Sequence, residues 1–174
     1  MKTLVMGGTE FVSSSIAQFL ISKGYTVDIF TRGNKPIKYE GVRKHLKGDR
    51  KSLEDLRANI SNETYDYVFD ISAYTKEDVE KLTGVMNRES LKRYVLCSTG
   101  GVYIPSNEVE SEDFTRGENI NWGKYGLDKK EAEDYLFELY EKENFPVTML
   151  RPTYMEKETT CTGKPIYLTV FQRG

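Results

Sequence analysis

Short apolar runs alternate with amphipathic helical stretches along most of this chain, and that alternation constrains the fold more than any other feature. "TLVMG" is a buried-strand run ending in glycine. "FVSSSIAQFLISKG" follows, with Phe11, Ile16, Phe19 and Leu20 at helical spacing and Gly24 placed as a C-cap. "YTVDIFTR" reads as a second strand, and beyond the loop "GNKPIKYEGV" comes a weak third at "RKHLKGD". "SLEDLRANI" is a helix opened by Ser52, with Asp55 three residues on. "YDYVFDIS", "LKRYVLCST" and "FPVTMLRP" are further strands, separated by the helices "TKEDVEKLTGVMN" and "YGLDKKEAEDYLFELYEKEN". This order predicts a parallel sheet covered by helices on both faces, a doubly wound α/β architecture.

Composition narrows the function classes. At 174 residues the chain is expected to build one domain, or one domain with a remnant of a second, with a substantial core. A net charge of −2 counts against a strongly basic nucleic-acid footprint. The two cysteines, Cys97 and Cys161, lie far apart, match no metal or disulfide spacing and suit a reducing, cytoplasmic setting. No apolar run approaches the roughly 18 residues of a membrane span. Cys97 reads as a core residue. His45, the only histidine, reads as structural or surface, with no partner for a catalytic or metal site. The run "KKEAEDYLFELYEKE" reads as a solvated helix face with Tyr135, Leu136 and Leu139 inward.

Two places carry chemistry. In the first strand-to-helix turn, Gly7 and Gly8 let the backbone approach a pyrophosphate, the helix start offers free N–H groups, and Thr9 can donate a hydroxyl. Further on, Tyr125 and Lys129 stand four apart in "YGLDK", on one helix face. A lysine one turn away would favour tyrosinate and let Tyr125 exchange a proton with a substrate hydroxyl or carbonyl.

With those motifs in register, the chain resembles the NAD-dependent epimerase/dehydratase family of the extended or atypical short-chain dehydrogenase/reductase superfamily. The likeness runs from Lys2 to about Tyr154 and implies an NAD(P)-binding Rossmann fold. "GGTEFV" resembles the family's GGTGFIG turn, placing Gly7, Gly8, Thr9, Glu10, Phe11 and Val12 at the cofactor. "KGDRKSLEDL" resembles the adenine-contacting segment and implies Asp49 and Arg50 there. "DISAY" resembles the loop after strand four, so Ser72, Ala73 and Tyr74 would line the cofactor. "CSTGGVY" matches S-[ST]-x-x-V-Y and implies Thr99 as the hydroxyl that orients the substrate oxygen. "KYGLDKKEAE" matches YGxSKxxxE, giving Tyr125 the acid/base role and Lys129 the lysine role. "TMLRPTY" implicates Pro152 and Thr153 beside the nicotinamide. The family's commonest substrates are nucleotide sugars. Within the superfamily, "GDRKSLEDL" and "DISAYTKEDVE" look most similar to isoflavone-reductase-like and chloroplast-RNA-binding-like proteins. RNA binding follows from that likeness alone, and the acidic composition counts against it.

The sequence departs from the family in two ways at the turn and one at the end. Glu10 replaces the middle glycine, where a carboxylate facing a pyrophosphate would cost binding energy unless it points to solvent. Ser13 replaces the last glycine and is small enough to be tolerated. Weakened rather than abolished cofactor binding is expected. At the end of the second strand stand Thr31 and Arg32, with Lys35 nearby and no acid, which leans towards NADP over NAD. The alternation then stops at Pro152, and residues 1–154 are read as the Rossmann domain. Residues 155–174, Thr-rich and ending on "IYLTVF", replace the family's C-terminal substrate lobe, which is expected to be missing. A two-nucleotide shift of one back-translation, with codons chosen to favour the match, begins Tyr-Gly-Glu-Gly-Asn, as the family would after "RPTY". The tail is therefore either a frameshift product or a genuine adaptation such as a dimerisation strand. A missing lobe would leave the cleft open and apolar surface bare, favouring homo-oligomers and weak turnover.

Overall fold

The computed structural model describes residues 1–107 and 111–152. The atypical tail at 155–174 lies outside the described residues. Six strands form one parallel sheet: β1 (Lys2–Met6), β2 (Thr26–Thr31), β3 (Val42–Lys47), β4 (Tyr67–Asp70), β5 (Arg93–Cys97) and β6 (Val147–Leu150), in spatial order β3-β2-β1-β4-β5-β6. Four helices connect them: α1 (Phe11–Ser22), α2 (Leu53–Ile60), α3 (Lys76–Val85) and α4 (Gly123–Glu143). The alternation read from the sequence is thus the architecture itself. The 3-10 turn at Gly100–Val102 carries no such signal and was not anticipated.

Strand alternation divides the core in two. Leu4 and Met6 of β1 and Phe30 of β2 pack with Leu56, Leu82, Ala132 and Leu136 from α2, α3 and α4. Val5, Val27 and Ile29 point the other way, onto Ala17 and Leu20 of α1. Period-2 strands sandwiched by helices bury both faces, which is why these strands read as continuous apolar runs. The helix starts follow local chemistry. Ser52 Oγ accepts from Asp55 N at 3.1 Å, and Thr75 with Asp78 makes a full capping box at α3. Asp55 does not return the bond to Ser52; its Oδ2 accepts from Asp49 N at 2.7 Å and so shapes the loop after β3.

Charges inside the sheet are paired. Asp28, fully buried in β2, accepts from Arg43 Nε at 2.7 Å and from Tyr65 Oη at 2.9 Å. A carboxylate out of water requires such partners. Strand order reverses on either side of β1, whose neighbours are β2 and β4. The crevice beyond the carboxyl ends of the strands at that point is where an open α/β sheet places a ligand.

Candidate functional site

A cleft of about 890 Å³ lies at that switch point, lined by the turn after β1, the end of β2, the loops after β3, β4 and β5, and the start of α4. Its floor is the glycine turn. Gly7 and Gly8 have φ of 115° and 124°, a region that strains any residue with a Cβ. A Cβ on Gly7 would sit 2.9 Å from Ser13 Cβ, and one on Gly8 2.8 Å from Ile29 Cγ2. Ser13 therefore packs where the last glycine of the pattern would be, and it fits because Gly7 has no side chain. Gly7 N donates to Phe30 O at 2.9 Å, fixing the turn against β2.

Glu10 occupies the N-cap position of α1 in extended conformation, but its side chain makes no capping bond to the helix. The carboxylate instead forms an exposed ion pair with Lys35. The first-turn N–H groups of α1 are thus left for a ligand. From the same loop as Lys35, Tyr39 Oη donates to Gly8 O at 2.6 Å. At the rim, Arg32 is exposed and lines the cleft. Thr31 Oγ1 accepts from Gly33 N at 3.0 Å and lies 2.7 Å from His45 Nε2. His45 thus takes a structural role, joining β2 to β3.

Asp49 is exposed on the cleft wall, with Oδ1 accepting from Lys51 N at 2.9 Å. Arg50 reaches the cleft but its guanidinium is committed elsewhere. It donates to Asp70 Oδ1 at 2.6 Å, Ser72 Oγ at 2.9 Å and the Asp78 carbonyl at 2.9 Å. Ala73 is fully buried and contributes through its main chain: its N–H donates to Asp70 Oδ1 at 3.1 Å. Tyr74 is 58% exposed.

Past the end of β5, Thr99 caps the 3-10 turn, its Oγ1 accepting from Gly101 N at 3.1 Å. Tyr125 lies between two aromatic rings, Trp122 at 5.8 Å and Tyr74 at 6.1 Å between centroids. Burial raises the Tyr125 phenol above its ordinary value, and a hydrogen bond with Thr99 opposes that rise. Lys129, 3% exposed, donates to Ala73 O and Cys97 O, each at 2.6 Å. Burial lowers its pKa, while nearby acidic groups pull the other way. Its Nζ is 5.9 Å from the Tyr125 ring centroid. The lysine thus directs its donors at two carbonyls, and burial is the largest influence on the Tyr125 phenol.

Three contributors escaped the sequence reading. Trp122, one helical turn before Tyr125, packs over Gly101, where a Cβ would approach its ring to 2.6 Å. Ser98 is 2% exposed, lines the cleft, and its hydroxyl has no protein partner among the described residues. Glu133 belongs to the run read as solvated, yet it is fully buried and pairs with Arg151 and Arg116. Tyr125, Lys129 and Glu133 recur every four residues, and that spacing was the available signal. Pro152 lines the cleft, its carbonyl accepting from Gly100 N at 2.9 Å; Thr153 lies outside the described residues. The glycine turn without Cβ atoms, the uncapped start of α1 and the unpartnered Ser98 hydroxyl together fit a dinucleotide.

A parallel sheet in this order, with a glycine turn opening onto its switch point, defines a dinucleotide-binding Rossmann domain. The chain belongs to the NAD(P)H-binding family, whose model matches residues 7–169. It is 29% identical over 152 aligned positions to the chloroplast stem-loop binding protein of 41 kDa b of Arabidopsis thaliana, covering 70% of this chain and 40% of that one. It is 27% identical over 197 positions to an anthocyanidin reductase of Vitis vinifera, covering 92% and 58%. The fold is similar to UDP-glucose 4-epimerase from Bifidobacterium longum in complex with NAD+ and UDP, with a TM-score of 0.74, 18% identity and coverage of 87% and 52%. It is similar also to vestitone reductase from alfalfa, at 0.71, 19%, 86% and 56%. The chain thus spans 40–58% of the length of these relatives. No helix among the described residues is long and apolar enough to cross a membrane.

Proposed function

We propose that this chain supplies the cofactor-binding and proton-transfer part of an NAD(P)-dependent oxidoreductase acting on a hydroxyl or carbonyl carbon, with nucleotide sugars as the first substrate class to test. One observation carries the reading: the glycine turn and the Thr99–Tyr125–Lys129 group line one and the same cleft. The turn and the start of α1 would hold a pyrophosphate, Asp49 the adenosine end, and Ser72, Tyr74 and Pro152 the nicotinamide side. Arg32 supports NADP over NAD. When bound, the dinucleotide supplies the hydride.

The chain's own residues handle the proton. Tyr125, kept as a phenol by burial, donates to the substrate oxygen as negative charge develops there in the reductive direction and takes the proton back in the reverse one. Thr99 orients that oxygen. Lys129, anchored by two carbonyls, holds positive charge beside the phenol and stabilises it after proton loss. Trp122 and Tyr74 flank Tyr125 and limit water at its ring.

Calorimetric titration with NADP+, NADPH, NAD+ and NADH tests the cofactor claim, and no binding of any of the four overturns it. In any reductase assay that shows turnover, Tyr125→Phe is expected to lower kcat by about 100-fold or more. Dinucleotide binding without turnover on a nucleotide-sugar panel would instead support a non-catalytic binding or regulatory protein.

A further inference from the structure

The carboxylate at the middle-glycine position needs a reason to be harmless. Glu10 is the N-cap residue of α1, with φ −114° and ψ 163°, yet its side chain makes no capping hydrogen bond to the helix. Short oxygen-bearing side chains usually fill that position, and a longer carboxylate placed there can fold back onto the first-turn N–H groups. Those are the groups an incoming phosphate would need. Lys35 removes the conflict by pairing with the carboxylate at the rim, where the Lys35 and Glu10 side chains are 62% and 65% exposed.

The placement of Lys35 is itself built. Its loop leaves β2 through Gly33, whose N–H is held by Thr31 Oγ1 at 3.0 Å, and is pinned to the glycine turn by Tyr39 Oη on Gly8 O at 2.6 Å. The segment carrying the cation is therefore tied to the turn it protects. Glu10 and Lys35 both line the cleft, so their charges sit where the cofactor's phosphates would enter.

We infer that Lys35 is a positioning residue for the dinucleotide: it holds the Glu10 carboxylate off the start of α1 and cancels its charge, so that the turn accepts a pyrophosphate. This deepens the proposed function and rests on it. The pair acts on the part common to NADH and NADPH, which separates it from a direct contact with the 2′-phosphate. It also makes the two residues interdependent, because Lys35 matters only while Glu10 carries a charge.

A double-mutant cycle on the full chain tests this, with NADH and NADPH titrated calorimetrically against wild type, Lys35→Ala, Glu10→Gln and the double variant. Lys35→Ala is expected to weaken both cofactors by about three- to tenfold at low salt, with the loss shrinking as salt screens the carboxylate. Glu10→Gln in the Lys35→Ala background is expected to restore binding to within about twofold of wild type, because the charge has gone. Loss of NADPH binding alone, unrescued by Glu10→Gln, would overturn the inference and make Lys35 a 2′-phosphate ligand. Unchanged binding of both cofactors by Lys35→Ala would overturn it too. No binding by any variant, Glu10→Gln included, would overturn the dinucleotide reading itself. Both side chains are exposed, so circular dichroism matching wild type is expected throughout.

Discussion

Lys129 Nζ lies 2.6 Å from the carbonyl oxygen of Ala73, which ties the helix carrying Tyr125 to the loop after β4. Ala73 is held in turn by Asp70, so the ammonium sits on a main-chain anchor fixed from the sheet. The lysine's donors are directed at carbonyls rather than at the phenol, and burial dominates the titration of Tyr125. Without cofactor, Tyr125 is expected to ionise above its ordinary value of about 10. Ultraviolet difference titration of wild type against Tyr125→Phe measures this directly; ionisation below the ordinary value would contradict it. The sign for stability follows. A phenol whose folded value is raised contributes stability that is whole below pH of about 10 and is lost as pH climbs through the folded value. Tyr94, fully buried against Asp70, is raised by burial as well and adds to the same alkaline loss.

Arg32 governs cofactor preference in the proposed reading. It is the exposed cation at the end of β2, on the rim of the cleft, with no acid beside it in the chain. Arg32→Ala is expected to weaken NADPH by about tenfold, as loss of a charge-assisted phosphate contact does, while NADH changes little. Equal losses for both cofactors would make Arg32 a general electrostatic contributor and remove the preference for NADP.

Glu63 sets a separate prediction at acid pH. Its carboxylate binds Lys2, accepts from Lys44 at 2.5 Å and lies 3.4 Å from Arg43, which ties the loop before β4 to β1 and β3. Hydrogen bonds from Lys2 and then Lys44 lower its pKa to about 2. A depressed carboxylate contributes stability that is present above its unfolded value and lost as pH falls through the folded one. Urea midpoints are therefore expected to fall from about pH 4.5 down to about 2. Glu63→Gln should lower stability at neutral pH and flatten that slope without abolishing it, because Asp66 and Asp78 are lowered too. An unchanged acid limb in the variant would show that Glu63 is not coupled to folding.

How far the molecule could be read from its sequence depended on the range of the interaction. Apolar periodicity is local, so the order of strands and helices was legible, as was the glycine turn with its two positive-φ residues. The motif spacing around Thr99, Tyr125 and Lys129 placed them in one cleft. Partners brought together by the sheet were not legible. Asp28 stands in an apolar run, and nothing in the sequence near it shows that Arg43 and Tyr65 will satisfy it. Arg50, which the resemblance placed near the adenine, lines the cleft, and its bonds to Asp70, Ser72 and Asp78 could not be read from the sequence. Glu10 could be seen to threaten an anion site, but Lys35, its counterion, lies across the β2–β3 loop. Helical charge alternation concealed Glu133, because every fourth residue on a charged helix can face either solvent or core.

That residue yields the sharpest test of how α4 is held in place. Arg151, at the end of β6, donates from Nε and Nη2 to the two oxygens of Glu133 at 2.8 and 2.7 Å, and from Nη1 to Tyr103 Oη at 2.6 Å. Arg116 adds a contact to Glu133 at 2.9 Å. The cluster is almost dry: Glu133 is fully buried and Arg151 is 6% exposed. Glu133→Ala would remove the buried carboxylate that both Arg151 and Arg116 contact and is expected to cost about 3–5 kcal/mol, read as a lower urea midpoint. Replacing both Glu133 and Arg151 by methionine removes the two buried charges together and should cost distinctly less, since a buried pair can be exchanged for packed apolar groups at little loss. Glu133 lies two turns beyond Tyr125 on the same helix face. Any surviving folded Glu133→Ala protein is therefore expected to lose the order of the Trp122–Tyr125 pair, visible as a weaker near-ultraviolet circular dichroism signal. A double-methionine variant as unstable as the single one would show that Arg151 and Glu133 are specifically required as an ion pair.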